Sequence, residues 1–151
     1  MIQIDPSFKN LLSQFIDAVH REYPIRFAYL FGSRARGEEN PTSDIDIAVY
    51  FAKHYNPSDI TFIRGYLIEF GKEFFNNPID IISLKHADLF LKYTIVKEGI
   101  IIKKNTDSTQ AEFESLTLRE FFDFQYYSDQ YNTAMIETIK KQTYFGDANG
   151  R

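Results

Sequence analysis

The arrangement that most constrains this chain is Gly32-Ser33 followed, ten residues on, by Asp44-Ile45-Asp46, with a strand-like run on either side. Phe27 to Phe31 is apolar, Gly32 to Gly37 is small and cationic (GSRARG), and Ser43 to Phe51 alternates acids with Ile45, Ile47, Val49 and Phe51. Neighbouring side chains on a strand point to opposite faces. Those four apolar residues therefore share a core face, while Asp44, Asp46 and Ala48 share the other. Two carboxylates so spaced lie roughly 6.6 Å apart at Cα, close enough to bind one hard cation or a pair of them. Mg²⁺ is the natural candidate, since it accepts one or two carboxylates together with substrate phosphates. The short connection implies that, if the strands pair antiparallel, Gly32 and Ser33 meet Asp44 at one sheet edge. Glycines at 32 and 37 permit positive φ, so amide N–H groups can face phosphate oxygens; Ser33 adds a hydroxyl, and Arg34 or Arg36 a guanidinium. The competing reading is a plain hairpin with solvent-exposed aspartates, which does not need this order of parts.

A third carboxylate stands in Pro78-Ile79-Asp80-Ile81-Ile82-Ser83-Leu84, a strand-like apolar run interrupted once. A buried charge is costly unless paired or metal-bound, so a buried Asp80 calls for a cation; the alternative is an edge-strand aspartate facing water.

Gly32-Ser33, Asp44-x-Asp46 and the later Asp80 together resemble the nucleotidyltransferase superfamily that shares its catalytic core with DNA polymerase β. The finer strings GSRARG and SDIDIAVY are similar to the minimal nucleotidyltransferases (MNT proteins), whose members of this size act as MntA-type antitoxins paired with a HEPN-domain ribonuclease toxin. The resemblance is sharpest over residues 27–51 and extends through about residue 105. It implies an α/β (α+β) fold: a two-layer polymerase-β-like core, with a mixed sheet and helices on one side, plus a long C-terminal helix. The implied division is a nucleotidyltransferase domain over 1–105, and over 106–151 a helix and loose tail that dock a partner. The implied site has Asp44, Asp46 and Asp80 as catalytic metal ligands for two Mg²⁺ ions, and Gly32, Ser33, Arg36 and Ser43 around the phosphates of ATP. The implied reaction moves AMP to a tyrosine hydroxyl of the toxin, with release of pyrophosphate. Two other functions stay open: an antitoxin that works by binding alone, and an enzyme acting on a small hydroxyl-bearing molecule.

Composition narrows the setting. The 151 residues, 44% hydrophobic and 25% charged, suffice for one domain with a true core. A formal charge of −4 gives no general attraction to nucleic acid, so a protein partner is expected rather than direct nucleic-acid binding. The absence of cysteine excludes disulfides, thiol catalysis and zinc–cysteine sites. With no basic leader and no run of about eighteen apolar residues, the expectation is a cytoplasmic chain that does not engage membranes. The scattered His20, His54 and His86 are expected to hold no metal.

Helix starts are expected at Asp5-Pro6, ahead of the stripe Phe8, Leu11, Leu12, Phe15, Ile16 and Val19, and at Asn56-Pro57, ahead of Ile60, Ile63, Leu67, Phe70 and Phe74. A third helix is expected over 87–98, then a short strand over 99–104 whose Lys103 and Lys104 protect an edge. Residues 112–142 read as one long helix, apolar on more than one face, which must bury a second surface in its own domain or against another chain.

Overall fold

The computed structural model describes the backbone of residues 4–104 and 106–148, with side chains through 142. The described chain runs α1 (Pro6–Glu22), β1 (Ile25–Phe31), α2 (Ser33–Arg36), β2 (Ile45–Phe51), α3 (Pro57–Gly71), β3 (Ile79–Ser83), a 3₁₀ turn (Leu84–His86), α4 (Leu89–Glu98), β4 (Ile100–Lys103) and α5 (Thr109–Ala148). The strands form one sheet in the order β3-β2-β1-β4. β1 is antiparallel to β2 and β4, while β2 and β3 are parallel, joined by the crossover through α3. Chain contacts divide it into two compact units, Met1–Thr117 and Leu118–Arg151.

Local chemistry sets the helix starts. Asp5 accepts a hydrogen bond from the amide of Phe8, and Asn56 accepts one from the amide of Asp59 at 2.8 Å, each ahead of a proline that starts its helix without needing an amide donor. Asp88 does the same for α4 through Leu91, so that helix starts later than the expected residue 87.

In the first unit, α1 (Leu12, Phe15, Ile16, Val19) and α3 (Ile60, Ile63, Leu67) cover one sheet face, burying Ile45, Ile47, Val49 and Phe51 as the alternation requires. Leu11 is the member of the α1 stripe left exposed. The expectation of helices on one side describes this larger cluster only. The reverse face buries Phe27, Tyr29 and Ala48 beneath Ile95 of α4, with Leu91 of α4 and Phe113 of α5 against it; the Phe27 and Tyr50 rings stack at 4.6 Å. The cause is that β1 is apolar on both faces, so each face needs a cover. A bulge between Ile25 and Phe27 sends Ile25 to the α1/α3 side although its spacing would place it with Phe27.

The opening turns of α5, through Thr117, belong to the first unit and are tied to β1. Arg26 pairs with Asp107 at 2.9 Å, the Tyr29 hydroxyl donates to Glu114, and Thr117 is buried. The tail expected to be loose from residue 146 is helical through Ala148; 149–151 lie outside the described residues.

Candidate active site

The end of β1 and the start of β2 lie side by side, with Phe31 opposite Asp46. Gly32 follows at φ 78°, and the chain turns at once into α2, where the amides of Ala35 and Arg36 donate to the Gly32 carbonyl at 3.1 and 3.2 Å. Gly37, at φ 73°, ends that short helix in the left-handed region. The segment expected as a turn is thus one helical turn held between two glycines. Glycine is required at 32 for a second reason: a Cβ there would meet Asp46 Oδ2 at 2.3 Å. The backbone approaches the carboxylate closely because no side chain intervenes.

The three acids come to the same region from two strands. Asp46 lies in β2 and Asp80 in β3, partners in parallel register, and Asp44 lies exposed one residue before β2. Asp46 and Asp80 share the face whose other members, Ala48 and Ile82, join the second cluster. Burial pushes the Asp46 carboxyl above its ordinary 3.8, the like charges of Asp80 and then Asp44 push it the same way, and Arg36 opposes them. Such unrelieved negative charge suits a hard divalent cation, and the donors are all oxygens, as Mg²⁺ requires. Among the described residues, however, no three acidic or histidine side chains converge closely enough to hold an ion.

The expected burial of Asp80 is corrected by the sheet order, since β3 is an edge strand and the Asp80 side chain is 47% exposed. A cation is already there: Arg64 of α3 places Nη2 3.2 Å from Asp80 Oδ1 and donates Nε–H to the Ile81 carbonyl. The like-charge influence of Asp80 on Asp46 and this ion pair describe two halves of one arrangement, with Asp80 near the acids and held by Arg64.

The remaining residues divide by role. Arg36 is exposed, paired with Glu38 at 2.9 Å and Glu98 at 3.7 Å, and within electrostatic reach of Asp46. Arg34 turns inward: its guanidinium lies 5.1 Å from the Phe8 ring centroid, Nη2 donates to the Ser43 carbonyl at 3.0 Å, and its buried Nε has no hydrogen-bond partner. Ser43 holds the loop ahead of β2, its hydroxyl accepting from the Asn40 amide at 2.9 Å and its amide donating to the Asn40 carbonyl at 3.0 Å. Asn77 ties that loop to the approach to β3, donating to the Pro41 and Ser43 carbonyls. His20 and His86 are engaged structurally, the first accepting from the Ile25 amide, the second held between the Ser83 hydroxyl and the Tyr55 carbonyl. Sequence reasoning missed Arg64 and Asn77, which carried no local signal tying them to these strands.

A glycine turn at the end of one strand thus lies beside an acid that is register-matched to a second acid on the next strand. Residues 14–108 match the family described as Polymerase beta, Nucleotidyltransferase. The chain belongs to this family. It is 34% identical over 95 residues to a candidate protein adenylyltransferase of Methanocaldococcus jannaschii, covering 62% of this chain and 93% of that one. A second such protein of the same organism is 30% identical over 92 residues, covering 60% and 94%. Among solved structures, it resembles a chain of a toxin–antitoxin crystal structure with AMP-PNP (TM-score 0.65, 23% identity, 84% of this chain and 97% of that chain). It also resembles a chain of a structure of tri-AMPylated Shewanella oneidensis HEPN toxin in complex with MNT antitoxin (TM-score 0.61, 22% identity, 87% and 98%). At these identities the structural likeness establishes the fold. Among the described residues no helix is long and apolar enough to cross a membrane.

Proposed function

We propose that this chain is an antitoxin of the MNT type, a protein adenylyltransferase that transfers AMP from ATP to a tyrosine hydroxyl of a HEPN-family ribonuclease toxin and thereby silences it. The observation that carries the reading is the close approach of the Gly32 backbone to the Asp46 carboxylate. Support for the acceptor class comes from relatives named as protein adenylyltransferases and from the shared fold with chains of toxin–antitoxin structures.

In this reading Gly32 and Ser33 bind the β- and γ-phosphates, with Arg36 and Ser43 at their margin. Asp44 and Asp46 would hold two Mg²⁺ ions with the triphosphate, and Asp80 would complete one of those sites. When bound, the ions lower the pKa of the attacking hydroxyl and neutralise charge on the leaving pyrophosphate. The acceptor oxygen attacks the α-phosphorus in line, the bond to the β-phosphate oxygen breaks, and the hydroxyl proton passes towards Asp80. The chain itself mainly positions the reactants. AMP on the toxin adds bulk and negative charge where RNA phosphate must bind.

The test is intact mass spectrometry of the cognate toxin after incubation with this protein, ATP and Mg²⁺. We expect gain of one or more AMP units, lost in the Asp44→Ala/Asp46→Ala double variant. A stable complex without AMP gain would instead establish inhibition by contact.

A further inference from the structure

Arg64 is the cation nearest the third carboxylate, and the family match gives it no role. Its position is specific. It reaches from the second turn of α3 to the edge strand β3, and there it makes one contact with the Asp80 carboxylate and one with the Ile81 carbonyl. Two donors of one planar guanidinium fix both the strand edge and the carboxylate. The pair is part-buried, the Arg64 side chain 40% exposed, beside a cavity of about 230 Å³ that Arg64 lines with Ser83, His86 and Asp88. Asp46, register partner of Asp80, meanwhile carries the repulsion of its neighbours.

We propose that Arg64 is a positioning residue that competes with a cation for the Asp80 carboxylate, so that Asp80 completes a metal site only when Arg64 releases it. Asp44 and Asp46 would hold the first cation with the nucleotide, and Asp80 would join them once freed from Arg64. This ordering defers assembly of the complete acid set, and with it activation of an acceptor, until ATP is in place. The inference rests on the proposed reading of Asp44, Asp46 and Asp80 as metal ligands. It does not depend on which hydroxyl accepts AMP.

The experiment is Mn²⁺ titration of the full-length chain, without nucleotide or acceptor, followed by electron paramagnetic resonance of the free ion. Arg64→Ala is expected to bind Mn²⁺ about fivefold more tightly than the parent. That equals about 1 kcal/mol, the upper end for a partly exposed ion pair. Adding Asp80→Asn to Arg64→Ala should remove the gain, and Arg64→Lys, which keeps the charge but not the fork, should give an affinity between parent and Arg64→Ala. Asp80→Asn alone should leave nucleotide-free affinity within about twofold, since Arg64 already occupies that carboxylate. This last variant does not depend on Arg64→Ala folding. Unchanged Mn²⁺ affinity in folded Arg64→Ala, or a marked loss in Asp80→Asn alone, would overturn the proposal. Failure of the ligand reading gives a different result, Mn²⁺ binding that survives Asp44→Ala/Asp46→Ala.

Discussion

At the scale of single residues, Gly32 links backbone conformation to chemistry. Its φ of 78° lies where side chains are disfavoured, and a Cβ would also enter the space of Asp46 Oδ2 at 2.3 Å. The obstructing atom ends a rotatable side chain, so Gly32→Ala should fold, at a cost of about 1–3 kcal/mol from the strained backbone. The carboxylate must swing away, and a displacement of that size at a reacting centre is expected to lower AMP transfer about a hundredfold. Thermal melts and single-turnover transfer assays would check the two effects separately. The approach of Gly32 to Asp46 was legible because the two flank the connection between adjacent antiparallel strands. The Arg64–Asp80 pair was not. Sixteen residues and a strand crossover separate its members, and nothing in the spacing distinguishes an arginine that faces water from one that curls over a sheet edge. The same blindness made Asp80 look buried, because an apolar run reads alike on a central strand and on a half-covered edge.

At the scale of elements, α5 is fastened to β1 by a polar knot under an aromatic cover. The Tyr29 hydroxyl, on a side chain 1% exposed, donates to Glu114, while Gln110 Nε2 approaches both at 3.4 and 3.3 Å. Burial foremost, then the hydrogen bond and charge of Glu114, raise the Tyr29 pKa well above 10.0. Tyr29→Phe removes the hydroxyl that donates to Glu114, leaving it the longer contact from Gln110 Nε2, and should cost about 1.5–3 kcal/mol at neutral pH, the range for hydrogen bonds to charged groups. The pH dependence has a definite sign. A tyrosine whose folded-state pKa is raised binds its proton more tightly when folded. Its contribution is therefore complete below the unfolded value of 10.0 and lost as pH rises towards the folded value. Denaturant melts should show the difference between parent and Tyr29→Phe narrowing above pH 10. Capping residues and stripes made α1 and α3 readable, because those signals lie within one or two turns of chain. The knot joins residues 85 apart, so where the first unit ends within the long helix could not be read locally.

At the scale of the whole chain, the two units differ in how they use apolar side chains. The first unit buries a core on both faces of its sheet and leaves a few apolar side chains such as Phe62 and Phe90 exposed, whereas in the second Phe122, Phe124, Tyr126, Tyr127, Tyr131, Met135, Ile136 and Ile139 are each at least 44% exposed. Exposed aromatic and Met side chains in this density match the composition of interface centres, and the acceptor protein is the partner the proposed reaction requires. Tyr127 and Tyr131, 69% and 68% exposed, stand four residues apart and so on one helix face. Full-length Tyr127→Glu/Tyr131→Glu should weaken the complex with the toxin at least tenfold, since buried aromatic anchors carry about 2 kcal/mol or more each at interface centres. Its Tm should move little, because neither ring is part of a buried cluster. A chain ended after Thr117 should likewise keep a cooperative melt and bind ATP, since the strands, the acids and the Tyr29 knot all lie within the first unit. It should lose stable association with the toxin and transfer AMP only at toxin concentrations far above those the full chain needs. Calorimetric titration of both variants against the toxin, with ATP binding as the control for folding, checks this division. Undiminished toxin affinity in the two variants would place the docking surface on the first unit and leave the exposed aromatics of the second without that role.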